Sequence, residues 1–301
     1  MIKLAIVIPY YKIDFFEETL KSVALQSNKN FILYIGNDSS PETPIPIISK
    51  YLKKENYKYF YYKDNLGGKN LSLQWERILD NIQEEWFQIL GDDDVISENF
   101  VEEFYKALPE MYKSDISVMK FIHEWIDEYS KHIETFDYKS DIINSVDFIM
   151  KKYANVVKSS LSENIFQTKM YHKYKFEKLP LAWGSDDIAL LTFSNFGKIF
   201  YNSNSIVQVR ISSSSISGSE KMDKKKNDAY NIFREKIILK YSKKFPAQFI
   251  SEILNDYLNY CHLNRQKASC KVLFIFFKKF EVMLLLKTMK RIYYINKMSL
   301  H

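Results

Sequence analysis

The first 112 residues alternate short apolar runs, rich in β-branched and aromatic residues, with segments of helical periodicity. No other feature constrains the fold as much. The runs are 3–11 (KLAIVIPYY), 30–38 (NFILYIGND), 57–65 (YKYFYYKDN) and 85–94 (EWFQILGDDD). Between them, 15–27, 45–56, 70–82 and 97–112 read as helices. Apolar residues recur at Phe16, Leu20, Val23 and Ala24, and at Leu71, Trp75, Ile78, Leu79 and Ile82, and Ser97 is the expected N-cap of the fourth helix. Strands that are apolar at nearly every position cannot turn one face to water. The expected fold is therefore α/β, a Rossmann-like, mostly parallel central sheet with helices on both faces. Ligands of such sheets bind beyond the carboxyl ends of the strands. Those ends carry Pro9, Tyr10 and Tyr11, then Asn37 and Asp38, then Asp64 and Asn65, then Asp92, Asp93 and Asp94.

The rest of the chain is less regular. Residues 115–122 read as a strand, 145–154 as a helix, and 162–174 as a strand turning into a helix. Residues 181–197 read as a helix closed by Gly197, and 198–217 as two strands followed by a serine-rich loop. Residues 221–234 read as linker or exposed helix, and 235–301 as a helical, basic appendage. Seven glycines and seven prolines in 301 residues, with 46% apolar content, exclude a disordered or low-complexity chain. The net charge of +6 is uneven. From Arg265 onward nine Lys/Arg stand against one acid, Glu281, which leaves the body slightly acidic. Cys261 and Cys270 form no CxxC pair, which points to a reducing, cytoplasmic compartment. The apolar run near Met1 is shorter than the roughly 7–15 residues of a signal-peptide core, and no segment approaches the ~20 apolar residues of a membrane span.

Four short motifs carry chemistry. In ILGDDDV (89–95), three carboxylates at a strand end suit a hard divalent cation such as Mn²⁺ or Mg²⁺, which takes one or two carboxylates plus substrate phosphates. The plain alternative is acidic charge placed against the dipole of helix 97–112. In WGSDDIALL (183–191), Asp186 and Asp187 open a helix. They are either dipole-matching acids or a general base whose proton affinity is raised by its neighbour. In NLGGKN (65–70), Gly67 and Gly68 bring backbone amides toward an anionic ligand, or make a plain turn. The spacing is neither a P-loop nor a dinucleotide fingerprint. In VRISSSSIS (209–217), Arg210 is a candidate phosphate clamp beside serines that form a flexible loop or a lid.

In this order, and with VIPYY (7–11) and LKSVALQSNKNFILYIGNDSS (20–40) ahead of them, the motifs resemble those of family 2 glycosyltransferases with the GT-A fold. The resemblance covers residues 1 to about 217. It implies a catalytic domain over 1–220, with a nucleotide-sugar half at 1–112 and an acceptor half at 113–220, and a basic tail at 221–301. It also implies inverting, metal-dependent sugar transfer from a nucleotide-diphosphate donor, UDP-linked by default, to a glycan or lipid-linked glycan acceptor in bacterial surface polysaccharide synthesis. Pro9, Tyr10, Tyr11, Asp38, Asn65, Gly67 and Lys69 would meet the nucleotide, with Asp38 on the base edge. Asp92 would hold the ribose and share the metal with Asp94, and Asp93 could take either role. Arg210 would hold the leaving diphosphate, Asp187 or Asp186 would be the base, and Trp183 and Gly184 would face the acceptor. The sequence departs from the family at Lys69, where Arg is common, and at Asp186, where Glu is usual.

The tail over 265–297 reads as two short amphipathic helices with a break near 280. Such helices either lie on an anionic membrane surface or pack on the domain. A nucleic-acid-binding role is disfavoured, because no nucleic-acid module is visible and the acidic triplet repels phosphate unless a cation intervenes. A non-catalytic sugar-binding domain is disfavoured by the intact acids.

Overall fold

The computed structural model describes residues 2–213, 215–273 and 282–299. The chain divides into two compact units, Met1–Asp223 and Lys224–His301. The first is an α/β unit built around one sheet, whose described strands follow the order β3-β2-β1-β4-β9-β6-β10-β5. Strands β1 (Leu4–Tyr10), β2 (Phe31–Asn37), β3 (Tyr57–Tyr61) and β4 (Trp86–Ile89) pair in parallel. Helices α1 (Phe16–Ala24), α2 (Ile45–Tyr51) and α3 (Leu71–Leu79) make the crossovers. The strand alternation decides which helix covers which face. Leu4, Ile6, Ile8, Leu33 and Ile35 share a core with Phe16, Leu20 and Val23 of α1 and with Phe100, Phe104 and Leu108 of α4 (Phe100–Lys113). The intervening Ala5 and Val7 are fully buried as well, and α3 lies against β1 and β2 with Trp75, Ile78 and Leu79 buried. A strand buried on both faces is apolar throughout.

The second half of the sheet is mixed. Between β4 and β6 (Val118–Ile126) runs β9 (Asn164–Gln167), antiparallel to both. Strand β10 (Lys198–Arg210) pairs in parallel with β6 and antiparallel with the two-residue β5 (Val95–Ile96). β7 (His132–Phe136) edges β6, and β8 (Ile142–Asn144) edges β10. Helices α5 (Ser145–Tyr153), α6 (Thr168–Tyr174) and α7 (Ser185–Phe193) complete the unit. This is the expected mixed α/β GT-A architecture, with a helical C-terminal part.

Several local expectations change. The two strands read in 198–217 are one strand, β10, with a register shift between Asn202 and Ile206. Ser97 does not cap α4: its hydroxyl donates to Ile206 O (2.9 Å) and accepts from Ile206 N (3.1 Å), tying the start of α4 to β10. Gly197 does not end α7. Ser194 stands at the helix end, its hydroxyl donating to Leu190 O, and Asn195 and Phe196 follow with positive φ.

The second unit is helical, with α8 (Asp223–Lys236) leading into it, then α9 (Ala247–Leu263) and a last helix, Val282–Met298. The expected first tail helix is not formed over 265–269, which is irregular and leads to a short turn of helix at Cys270–Leu273. Lys278, Lys279, Glu281 and the break near 280 lie outside the described residues. In the last helix Ile292 and Ile295 are buried, while Leu286, Lys287, Met289, Lys290, Tyr293, Tyr294 and Lys297 are exposed. No helix among the described residues is long and apolar enough to cross a membrane.

Candidate active site

Residues Gly91–Asp94 form a turn between β4 and β5, so the acids sit at a strand end as the sequence implies. They do not complement a helix dipole. Helix α4 begins only at Phe100 and carries its own acids, Glu102 and Glu103, in its first turn. The three carboxylates are used differently. Asp92 Oδ2 accepts from the amides of Tyr11 (2.7 Å) and Lys12 (2.8 Å), which clamps the end of β1 to the turn. Asp94 is buried, takes the Arg210 amide on Oδ1 (2.9 Å) and the Ser162 hydroxyl on Oδ2. Asp93 has no hydrogen-bond partner for its carboxylate among the described residues.

Burial raises the proton affinity of all three; neighbouring acids add to it at Asp93 and Asp94, whereas the Lys12 and Tyr11 amides and the Lys12 charge oppose it at Asp92. Asp94 is pushed up to about 6, with Ser162 and the Arg210 amide pulling the other way. Asp93 is pushed well up by burial and by Asp94 and Asp92. Such a turn is poised for a cation. Among the described residues no group of three or more His, Cys, Asp or Glu side chains is arranged to hold a metal by itself. The fit is therefore the Mg²⁺ or Mn²⁺ pattern in which the protein gives one or two carboxylates and a ligand's phosphates complete the shell. Asp93 offers the freest oxygens. Each oxygen of Asp92 and Asp94 also keeps coordination capacity, since a carboxylate has about four lone-pair sites.

Arg210 was expected to hold a diphosphate, but its guanidinium is turned inward, and the residue is 1% exposed. Nε donates to Asp93 O (3.1 Å), Nη1 to Asp127 O (2.8 Å) and Ser130 Oγ (3.1 Å), and Nη2 to Glu18 Oε2 (2.7 Å). The group also stacks over Phe15. With its donors committed to four residues on three segments, Arg210 braces the acidic turn in this arrangement.

The 65–70 loop has a similar surprise. Its amides meet an anion, but that anion is Asp38. Leu66 N and Gly67 N donate to the two oxygens of Asp38 (2.9 and 2.7 Å), and Arg77 adds an ion pair. A Cβ on Gly67 would lie 2.6 Å from Asp38 Oδ2, so only glycine allows that approach. Gly68 N donates to Asn65 Oδ1, and Lys69 is exposed. Tyr10 is a core residue, with its ring edge-on to Phe16 and its hydroxyl on Glu42 O, so it presents no face to a ligand. Its neighbours differ: Tyr11 is exposed and Pro9 is partly exposed.

The second acidic group stands at the start of α7. Gly184 takes φ 85°, the left-handed conformation, immediately before the helix, and Trp183 is partly exposed beside it. Lys152 of α5 reaches Asp187 Oδ1 at 2.5 Å and Asp186 Oδ2 at 3.8 Å. Asp187 is buried and Asp186 partly exposed. Burial and the adjacent Asp187 push Asp186 up to about 6, against Lys152.

Sequence reasoning passed over Lys152, Arg77, Glu18, Lys120 and the 159–164 turn. Only one of these omissions had a signal: a lysine inside the apolar strand VMKFI (118–122), Lys120, which pairs with Glu163.

Residues 5–180 match Glycosyl transferase family 2. The glycosyltransferase GlyA of Streptococcus pneumoniae serotype 4 is 25% identical over 183 residues, covering 60% of this chain. The chain spans only 24% of that relative's length. Among solved structures, S. aureus TarS 1-349 in complex with UDP-GlcNAc is similar at a TM-score of 0.63 and 17% identity, over 85% of this chain and 73% of that one. The same fragment in complex with UDP gives 0.60 and 16%, over 89% and 76%. A further TarS structure gives 0.61 and 16%, over 90% of this chain and 46% of that one. At this identity the likeness to TarS is one of fold.

Proposed function

The chain belongs to glycosyl transferase family 2, and from that premise we propose that it moves a sugar from a UDP-linked donor to a hydroxyl of a glycan or lipid-linked glycan, with inversion and with a divalent cation. The observation that carries this reading is chemical. One turn crowds three carboxylates whose repulsion a cation would relieve, and Asp186, in a separate acidic pair, is raised to about 6. The likeness of fold to TarS, solved with UDP-GlcNAc, favours UDP as the nucleotide.

In this reading the donor lies along Pro9, Tyr11, Asn65, Gly67 and Lys69. Asp38 shapes that side by holding the 65–70 loop. Asp92 orders the β1 end under the ribose. Asp93 and Asp94 hold Mn²⁺ or Mg²⁺, which when bound would neutralise charge on the departing diphosphate. The Asp186–Asp187 pair takes the proton of the acceptor hydroxyl as its oxygen attacks the anomeric carbon. Lys152 orients the pair, and Trp183 and Gly184 flank the acceptor. Arg210 keeps the acidic turn in place rather than holding the diphosphate. The exposed apolar and basic face of the last helix suits an anionic membrane surface, which would bring a lipid-linked acceptor within reach. A role in bacterial surface polysaccharide synthesis at the inner membrane face follows from that acceptor.

Calorimetric titration with UDP, GDP and dTDP, each with Mn²⁺ and with EDTA, tests the donor half. Mn²⁺-dependent binding of UDP is expected. Absence of binding to all three, with and without metal, would sink the reading.

A further inference from the structure

Behind the acidic turn lies a buried polar cluster that the transfer reaction does not use. Lys120, on β6, and Glu163, in the turn just before β9, are both fully buried and 2.5 Å apart. Glu163 also accepts from Ser160 N (2.7 Å), the Ser160 hydroxyl and the Ser159 hydroxyl (3.0 Å). Lys120 also donates to Ser159 Oγ (2.8 Å). Asn164 Nδ2 closes the turn onto Ser160 O and Leu161 O. His123 stacks on Phe136 next to this pair; neither ring nitrogen has a hydrogen-bond partner, and Nδ1 lies 3.7 Å from Glu163 Oε1. Burial pushes His123 down to about 4. It is therefore neutral near pH 7, and Lys120 is the counter-charge of Glu163.

A buried ion pair rarely stabilises a fold relative to apolar side chains of similar volume. Its place here points to another use. The 159–164 turn it fixes carries Ser162, and Ser162 is the contact to the acidic turn. Its hydroxyl donates to Asp94 Oδ2 and accepts from Gly91 N (3.1 Å), and its carbonyl accepts from Gln88 Nε2 (2.6 Å) at the end of β4. One side chain thus touches both ends of the Gly91–Asp94 turn. Hydrogen bonds to a ligating carboxylate orient it, and losing one typically costs ~10–100-fold in metal affinity.

We propose that Ser162, held by the buried Lys120–Glu163 pair, is the positioning residue of the acidic turn. It fixes the rotamer in which Asp94 meets a divalent cation. This rests on the turn being the cation site of the proposed function.

The test uses the full chain, Mn²⁺ alone and Mn²⁺ with UDP, with bound metal read from the loss of the free-ion electron paramagnetic resonance signal. Ser162→Ala is expected to weaken Mn²⁺ binding about tenfold or more while the folded spectrum is kept, and Ser162→Thr to stay within about threefold of the parent. Lys120→Met/Glu163→Gln removes both charges together, so neither is left buried alone. It should weaken Mn²⁺ comparably, and adding Ser162→Ala to it should cost little more, since the three act as one unit. A folded Ser162→Ala variant with parental Mn²⁺ affinity would overturn the proposal. So would a folded double variant with parental affinity, by making the pair mere packing. A parent that binds no Mn²⁺, with or without UDP, would instead bring down the cation reading itself.

Discussion

Asp93→Asn should make the cation-free protein more stable and unable to hold its cation. A Cβ on Gly91 would stand 2.7 Å from Asp94 Oδ2 and 3.0 Å from Asp93 Oδ1. The two oxygens are therefore within about 6 Å of each other. Two unit charges at that separation repel by about 3 kcal/mol at an effective dielectric of 20, and partial exposure of Asp93 reduces this to about 1–2 kcal/mol. No hydrogen bond among the described residues offsets it at Asp93, and the charges of Lys12 and Arg210 offset it only in part, since the proton affinity of Asp93 stays well raised. Replacing the carboxylate with an isosteric amide removes the repulsion and keeps the shape. In a unit of this size 1 kcal/mol moves Tm by about 2–4 °C, so a rise of about 2–8 °C is expected in EDTA at pH 8. The sign with pH follows from the raised proton affinity of Asp93. The native state binds this proton more tightly than the unfolded chain, so the parent's penalty is present at high pH and fades as Asp93 is protonated on acidification. The difference in Tm should shrink accordingly. Differential scanning calorimetry of both proteins, with EDTA and with Mn²⁺, measures this. Mn²⁺ should raise the Tm of the parent and leave that of Asp93→Asn unchanged. A variant that is less stable in EDTA, or equally stabilised by Mn²⁺, would refute the reasoning.

Asp186→Asn and Asp187→Asn should each lower kcat by about 10²–10⁴ in a donor-turnover assay while Mn²⁺–UDP affinity measured by calorimetry stays unchanged. The acidic limb of kcat/KM should lie near the value of about 6 to which Asp186 is raised. Lys152→Gln should move that limb to higher pH, because it removes the positive charge that favours ionised Asp186; a shift to lower pH would contradict the assignment. Gly67→Ala should weaken UDP binding at least about tenfold, since its Cβ would drive Asp38 from the loop amides and disorder the donor side. Sedimentation with vesicles rich in phosphatidylserine should carry the full chain down in low salt. Lys287→Glu/Lys290→Glu should leave it in the supernatant, and equal sedimentation of both would remove the membrane proposal.

The sequence alone determined the layering. Strands such as 3–11 and 85–94 are apolar at successive positions, so their only stable place is a sheet covered on both faces, and the carboxyl-edge location of Asp92–Asp94 and Asp38 follows from that. The helical onset at Asp186 and Asp187 was legible for a similar local reason, an acidic start followed by an unbroken apolar run. What the sequence left open concerned partners distant in the chain. That β9 inserts antiparallel between β4 and β6 depends on pairing that no local period encodes. The polar side chains tell the same story. Arg210 reads as a free phosphate clamp until Glu18, Asp93, Asp127 and Ser130 are seen to take its donors. Tyr10 and Tyr11 are indistinguishable in sequence, and only the pleat of β1 sends one into the core and leaves the other at the edge. Asp92, Asp93 and Asp94 are three identical letters. Their separate uses arise because contacts distant in the chain, from Tyr11, Lys12, Ser162 and Arg210, satisfy two carboxylates and leave the third open. Hydrophobic periodicity is a property of neighbours in sequence and fixes the layers, whereas the satisfaction of a charge is a property of neighbours in space.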